Sequence, residues 1–92
     1  MGRLQRSLLD LSDRLENLAR EERRLADELS YHRSLADDAA RDAAVVDDPI
    51  ERENAAVTAG DVRRFERRLE KLADQRQKLE TKRARLLEKL GG

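Results

Sequence analysis

Leucines and other small or apolar residues recur at alternating steps of three and four along one half of the chain and again along the other. The ascending half reads Leu4, Leu8, Leu11, Leu15, Leu18, Glu22, Leu25, Leu29, His32, Ala36, Ala39, Ala43. The descending half reads Glu51, Ala55, Thr58, Val62, Phe65, Leu69, Leu72, Arg76, Leu79, Arg83, Leu86, Leu90. This spacing keeps one stripe of a helix facing a partner helix. Folding the chain at Asp47 and Asp48 brings together residues equidistant from that point: Leu8 with Leu86, Leu15 with Leu79, Leu25 with Leu69, Leu29 with Phe65. The pattern therefore predicts an all-α fold, an antiparallel two-helix coiled-coil hairpin spanning residues 1–92 as a single unit. Helix 1 is expected over about 3–46, the turn at 47–48 and helix 2 over about 49–89.

The turn follows from residue chemistry. Asp48-Pro49-Ile50-Glu51 is a helix start: Asp48 caps, Pro49 suits a first helical position that needs no N–H, and Glu51 can reach back as a capping-box acid. Proline also drives Asp48 out of the helical region. Gly60 is the weak point of helix 2, which either continues through it or kinks there, with Asp61 as a second cap. Between Ala36 and Thr58 the seam is small, so little area is buried and the turn end is expected to be thin and more mobile than the leucine half.

Composition narrows function. Charged residues make up 43% of the chain and aromatics 2%, which matches a long helix or coiled coil and leaves no room for a buried active site. The single His, the single Tyr and the lack of a Gly-rich phosphate loop supply no nucleophile–base pair, so the chain is not expected to be an enzyme. There is no cysteine and no second ligand near His32, so no metal site is expected and the cytoplasm is a compatible compartment. Apolar runs are too short for a membrane span.

Net charge is zero but unevenly spread. Residues 36–56 hold seven acids and two bases, whereas residues 61–90 hold eleven bases and six acids. Acids at the start of helix 2 and bases at its end suit the helix dipole. The basic run Arg63, Arg64, Arg67, Arg68, Lys71 is interleaved with Glu66 and Glu70 and carries no stacking aromatics, which argues against nucleic acid as a partner. In the seam, Glu22 lies one layer from Arg76, an interlayer ion pair that would fix register. Arg83 is expected to reach Asp10 or Glu80. Off the seam stand Leu9 and Leu87, the pair Tyr31 and Leu35, and Val45, Ile50 and Val57 near the turn. Such residues mark a partner surface, for a second copy (a homodimer, pairing into a four-helix bundle) or for a different protein.

Two family resemblances bear on that partner. The segment Leu29-Ser30-Tyr31-His32-Arg33-Ser34-Leu35 resembles the cyclic di-GMP signature of RsiG-type anti-sigma factors, which are antiparallel helical pairs. That signature runs Glu, three residues, Ser, two residues, Arg, three residues, Gln, three residues, Asp. Laid on this chain it falls on Ala26, Ser30, Arg33, Asp37 and Arg41, of which Ser30 and Arg33 match. The resemblance implies a sigma factor as partner and cyclic di-GMP as a non-obligatory ligand at Ser30, Arg33 and Asp37. The turn, Asp48-Pro49-Ile50-Glu51-Arg52, is similar to the coiled-coil tip of DksA-like proteins, which place acidic tip residues in the RNA polymerase secondary channel. That resemblance implies a polymerase contact through Asp47, Asp48 and Glu51, although DksA-like proteins also carry a cysteine-rich zinc domain. The expected function is thus a protein-interaction hairpin in transcription regulation, of anti-sigma type. The alternatives are a polymerase-binding hairpin acting through its acidic tip and a structural dimerisation module.

Overall fold

In a computed structural model that describes residues 2–91, the chain is an all-α hairpin of two helices, α1 (Arg3–Val45) and α2 (Pro49–Gly91), joined by residues 46–48. Residues 1 and 92, within the span expected from sequence, lie outside the described residues. The boundaries follow the hydrogen bonds. Gly2 accepts from the Arg6 N–H at 3.1 Å and opens α1. The last α-type bond of α1 runs from the Val46 N–H to the Asp42 carbonyl at 2.8 Å. The chain then tightens: the Asp48 N–H donates to the Val46 carbonyl at 2.7 Å. That N–H is the one a capping-box Glu51 would take, so the box does not close. Asp48 itself caps as its chemistry requires. Its carboxylate accepts from the Ile50 N–H at 2.8 Å and its carbonyl from the Arg52 N–H at 3.0 Å. Arg52 closes the loop from the other side by pairing with Asp47. Beyond the turn, α2 is continuous through Gly60, and Asp61 pairs with Arg64 instead of capping a second helix.

The chain divides into an open half, residues 2–23 with 70–91, and a turn half, Arg24–Leu69. In the open half Leu11 is buried, and Leu4, Leu8, Leu15 and Leu18 from α1 are half-buried, as are Leu72, Leu79 and Leu86 from α2. Leu90 is 43% exposed in the last turn, although its spacing puts it on the seam. The Arg76 Nε donates to Glu22 at 2.8 Å, across the two helices, and its Nη1 to Glu80 at 3.4 Å. The hydrogen bond to Glu22, then that carboxylate's charge, and then Glu80 hold the Arg76 guanidinium above its ordinary pKa. A raised base contributes its stabilisation fully below the ordinary value and loses it only as pH rises through the raised one, so this proton introduces no pH dependence near neutrality. Arg83 makes neither expected contact: Asp10 pairs with Arg14 at 3.3 Å, and Glu80 serves Arg76. For Asp10, a partner one turn away on its own helix costs less side-chain order than one across the seam, while Glu80 goes to the arginine already held in place by Glu22.

In the turn half, Leu25 and Leu29 are buried and Val62, Phe65 and Leu69 half-buried. The His32 ring stacks on Phe65 with centroids 4.5 Å apart and planes 25° from parallel. The Arg68 guanidinium sits 5.8 Å from the centre of the same Phe65 ring. The two bulky rings and two leucines close this part of the seam. Towards the turn the seam narrows to Ala36, Ala39 and Ala43 with Glu51, Ala55 and Thr58, all half-buried. The Thr58 hydroxyl is satisfied within its own helix by the carbonyls of Asn54 at 2.9 Å and Ala55 at 3.1 Å, so it makes no demand on the facing alanines.

Candidate functional site: two flanks and a tip

With the seam of each helix facing the other, 3.6 residues per turn assigns the remaining positions of the turn half to two flanks. One carries Ser30, Arg33 and Asp37, spaced three and four apart on α1, with Ala59, Arg63 and Glu66 beside them on α2. Ser30, Arg33 and Asp37 are all exposed. The Ser30 carbonyl accepts from the Ser34 hydroxyl at 3.3 Å. The Arg33 and Asp37 side chains form no hydrogen bond or ion pair among the described residues, whereas neighbouring charges do pair: Arg41 with Asp38, and Arg64 with Asp61. This flank offers a hydroxyl, a guanidinium and a carboxylate to solvent. Hydrogen bonding and charge are its available chemistry.

The other flank carries Tyr31 and Leu35 from α1 with Ile50 and Val57 from α2. Their exposures are 63%, 37%, 67% and 56%, which makes it the apolar face of the turn half. The Tyr31 ring meets His32 edge-on at 5.6 Å, tying the flank to the ring stack in the seam. The five residues expected from sequence to bind a partner or ligand along α1 thus separate: Ser30, Arg33 and Asp37 on one side, Tyr31 and Leu35 on the other.

The tip residues divide as well. Asp47 is committed to Arg52 and Asp48 to the α2 N-terminus. Glu51 is half-buried at the seam edge. Beside Asp47, whose side chain is 90% exposed, the tip exposes apolar residues: Val45 at 84%, Val46 at 52% and Ile50 at 67%. In the open half a shallow apolar groove of about 490 Å³ is lined by Arg14, Leu18, Glu21, Leu72, Gln75 and Leu79 among others. Sequence reasoning missed this groove. Long polar side chains line it beside the leucines, as on any solvated helix face, so no sequence signal marks it. Among the described residues no cluster of His, Cys, Asp and Glu could hold a metal ion, and no helix is long and apolar enough to cross a membrane.

No family model matches the chain, and no curated protein or solved structure matches it either.

Proposed function

We propose that this chain is a non-enzymatic, cytoplasmic interaction hairpin of anti-sigma type, which holds a sigma factor along its helix faces and takes cyclic di-GMP as a tuning ligand. The observation that carries this reading is the flank of Ser30, Arg33 and Asp37, whose charged side chains are exposed and unpaired while charges around them are satisfied locally. Arg33 supplies the planar, bidentate donor that suits a phosphodiester. Ser30 and Asp37 supply the hydroxyl and the acceptor that a guanine edge or ribose would use. Commitment of Asp48 to capping α2 counts against a tip-directed polymerase contact, because a partner would have to compete with the cap.

The test is isothermal titration of the full chain with cyclic di-GMP, followed by capture of sigma factors with and without the nucleotide. The reading predicts saturable nucleotide binding that Arg33→Ala abolishes and that Asp48→Lys with Glu51→Lys leaves intact. It also predicts nucleotide-dependent recovery of a sigma factor. No heat of binding together with no sigma factor recovered would refute it. Core polymerase recovered by the wild type and lost with the tip double variant would favour the tip instead.

A further inference from the structure

Two features of the open half lie side by side on one flank. The first is the shallow groove of about 490 Å³, with Leu18 from α1 and Leu72 and Leu79 from α2 along its floor, all half-buried. A two-helix pair covers its leucines from across the seam but not from the sides, so this floor stays open to solvent.

The second is a row of cations on the α2 edge of that groove. Lys71, Lys78, Lys82, Arg85 and Lys89 follow one another at steps of seven, four, three and four, which keeps them on one face of the helix. Gln75 stands in the gap at the step of seven, and both Gln75 and Lys78 line the groove. The five cations are exposed, and none forms an ion pair among the described residues. The acids of the same stretch lie off the row. Glu80 serves Arg76, Glu70 and Glu88 are on the solvent side of α2, and Asp74 is at the outer edge. The α1 edge carries Arg3, Asp10, Arg14 and Glu21, of which Asp10 and Arg14 pair with each other. Like charges three and four apart weaken a helix. The helix dipole offsets that only in the last turn, which accounts for Lys89 and leaves Lys71, Lys78 and Lys82 uncompensated.

An apolar floor beside a basic edge fits an amphipathic helix with apolar residues at three–four spacing and acids on the side that meets α2. Cations repeated turn by turn along α2 meet carboxylates repeated turn by turn on a helix laid beside it. The phosphates of a nucleic acid would meet the cations but leave the floor uncovered, and would face Asp10 and Glu21. A bilayer takes up projecting apolar side chains, whereas these leucines are recessed between polar edges.

We infer that the open-half groove is the docking site for an acidic amphipathic helix of a partner protein. Its apolar side chains enter between Leu18, Leu72 and Leu79, and its carboxylates pair with Lys71, Lys78, Lys82 and Arg85. The docked helix turns the open half into a three-helix bundle. The site uses none of Ser30, Arg33 and Asp37, so a failure of nucleotide binding or of sigma-factor capture leaves the inference standing.

The experiment is fluorescence anisotropy of labelled synthetic peptides of about three heptads, titrated with the full chain. The first peptide has Leu at three–four spacing flanked by Glu. The second has Lys for every Glu, and the third has Ala for every Leu. The first is expected to bind saturably and to weaken as salt rises, with the other two at least about tenfold weaker. Lys78→Glu combined with Arg85→Glu is expected to weaken the first peptide about tenfold and to make the second the preferred one. Helix content by circular dichroism should not change, because both residues are exposed. Gln75→Lys, which completes the row, should tighten the first peptide. Leu87→Glu, on the opposite flank and 52% exposed, should leave it unchanged. No binding of the first peptide would overturn the inference, as would equal binding of the second or third. So would a double variant that keeps the original preference, or Leu87→Glu costing as much as the double variant. Tighter binding of a short DNA duplex or of anionic vesicles than of the first peptide would overturn it too.

Discussion

In the open half, leucines from both helices fill the seam, and a charged pair, Glu22 with Arg76, crosses it at 2.8 Å. In the turn half, two leucines and the His32–Phe65 stack close the inner part of the seam, and alanines carry it on to the turn. Yet among the described residues two of the three buried side chains, Leu25 and Leu29, belong to the turn half, and all three are on α1. Burial in a helix pair depends on what covers a residue from across the seam and from its sides. A ring as wide as Phe65 covers more than a leucine does. The open half distributes apolar area over many half-buried leucines. The turn half concentrates it beside one aromatic stack and relies on a short, capped connection for the rest. That economy leaves Tyr31, Leu35, Ile50 and Val57 outside the seam.

The comparison can be broken most forcefully at Leu25. Leu25→Ala removes a side chain that is 2% exposed and should lower unfolding free energy by about 3 kcal/mol in denaturant titration. Leu15→Ala, at a half-buried seam position of the open half, should cost roughly half as much, in proportion to the apolar area returned to the pair. Equal costs would remove the distinction between concentrated and distributed burial.

A second prediction addresses the connection. Asp48→Ala deletes the carboxylate that accepts the Ile50 N–H and should cost about 1 kcal/mol, read as a lower thermal midpoint. Asp48→Asn, which keeps an acceptor, should recover most of it. If neither variant moves the midpoint, the cap does not hold the turn half together.

The smallest expected effect has the opposite sign. A Cβ at Gly60 would find its nearest neighbours at ordinary contact, the Arg63 guanidinium at 3.8 Å and that of Arg64 at 3.9 Å. Gly60→Ala should therefore stabilise the chain by roughly 0.5–1 kcal/mol, because helical backbone is easier to hold with alanine. A loss of stability would show that α2 uses Gly60 as a point of bending.

Much of this fold is legible in the sequence, because one stripe of each helix must meet the other and the three–four spacing names that stripe. Leu11, Leu25 and Leu29 are buried where the spacing puts them, and Glu22 finds Arg76. Short-range competition is harder to read. Glu51 was a sound capping-box acid until the Asp48 N–H turned to the Val46 carbonyl, and Arg83 lost Asp10 to Arg14 and Glu80 to Arg76. These outcomes depend on which of several similar local bonds forms first in space, which spacing does not encode. The flanks lie between these cases. Tyr31 and Leu35 are recognisable as off-seam residues, but their sharing a face with Ile50 and Val57, and their separation from Ser30, Arg33 and Asp37, emerges only when the two helices are set side by side.

Register in the alanine stretch is the central claim, because the flanks and every residue placed on them follow from it. The chain has no cysteine, so introduced pairs report cleanly. Ala39→Cys combined with Ala55→Cys joins two residues equidistant from Asp47, and Ala39→Cys combined with Val62→Cys is a control offset by one heptad. Under mild oxidation at high dilution, the account predicts a rapid intramolecular disulfide in the first pair and essentially none in the second. Comparable cross-linking of both pairs would mean that the alanine seam slides, and the assignment of Tyr31 and Arg33 to separate, fixed flanks would fall with it.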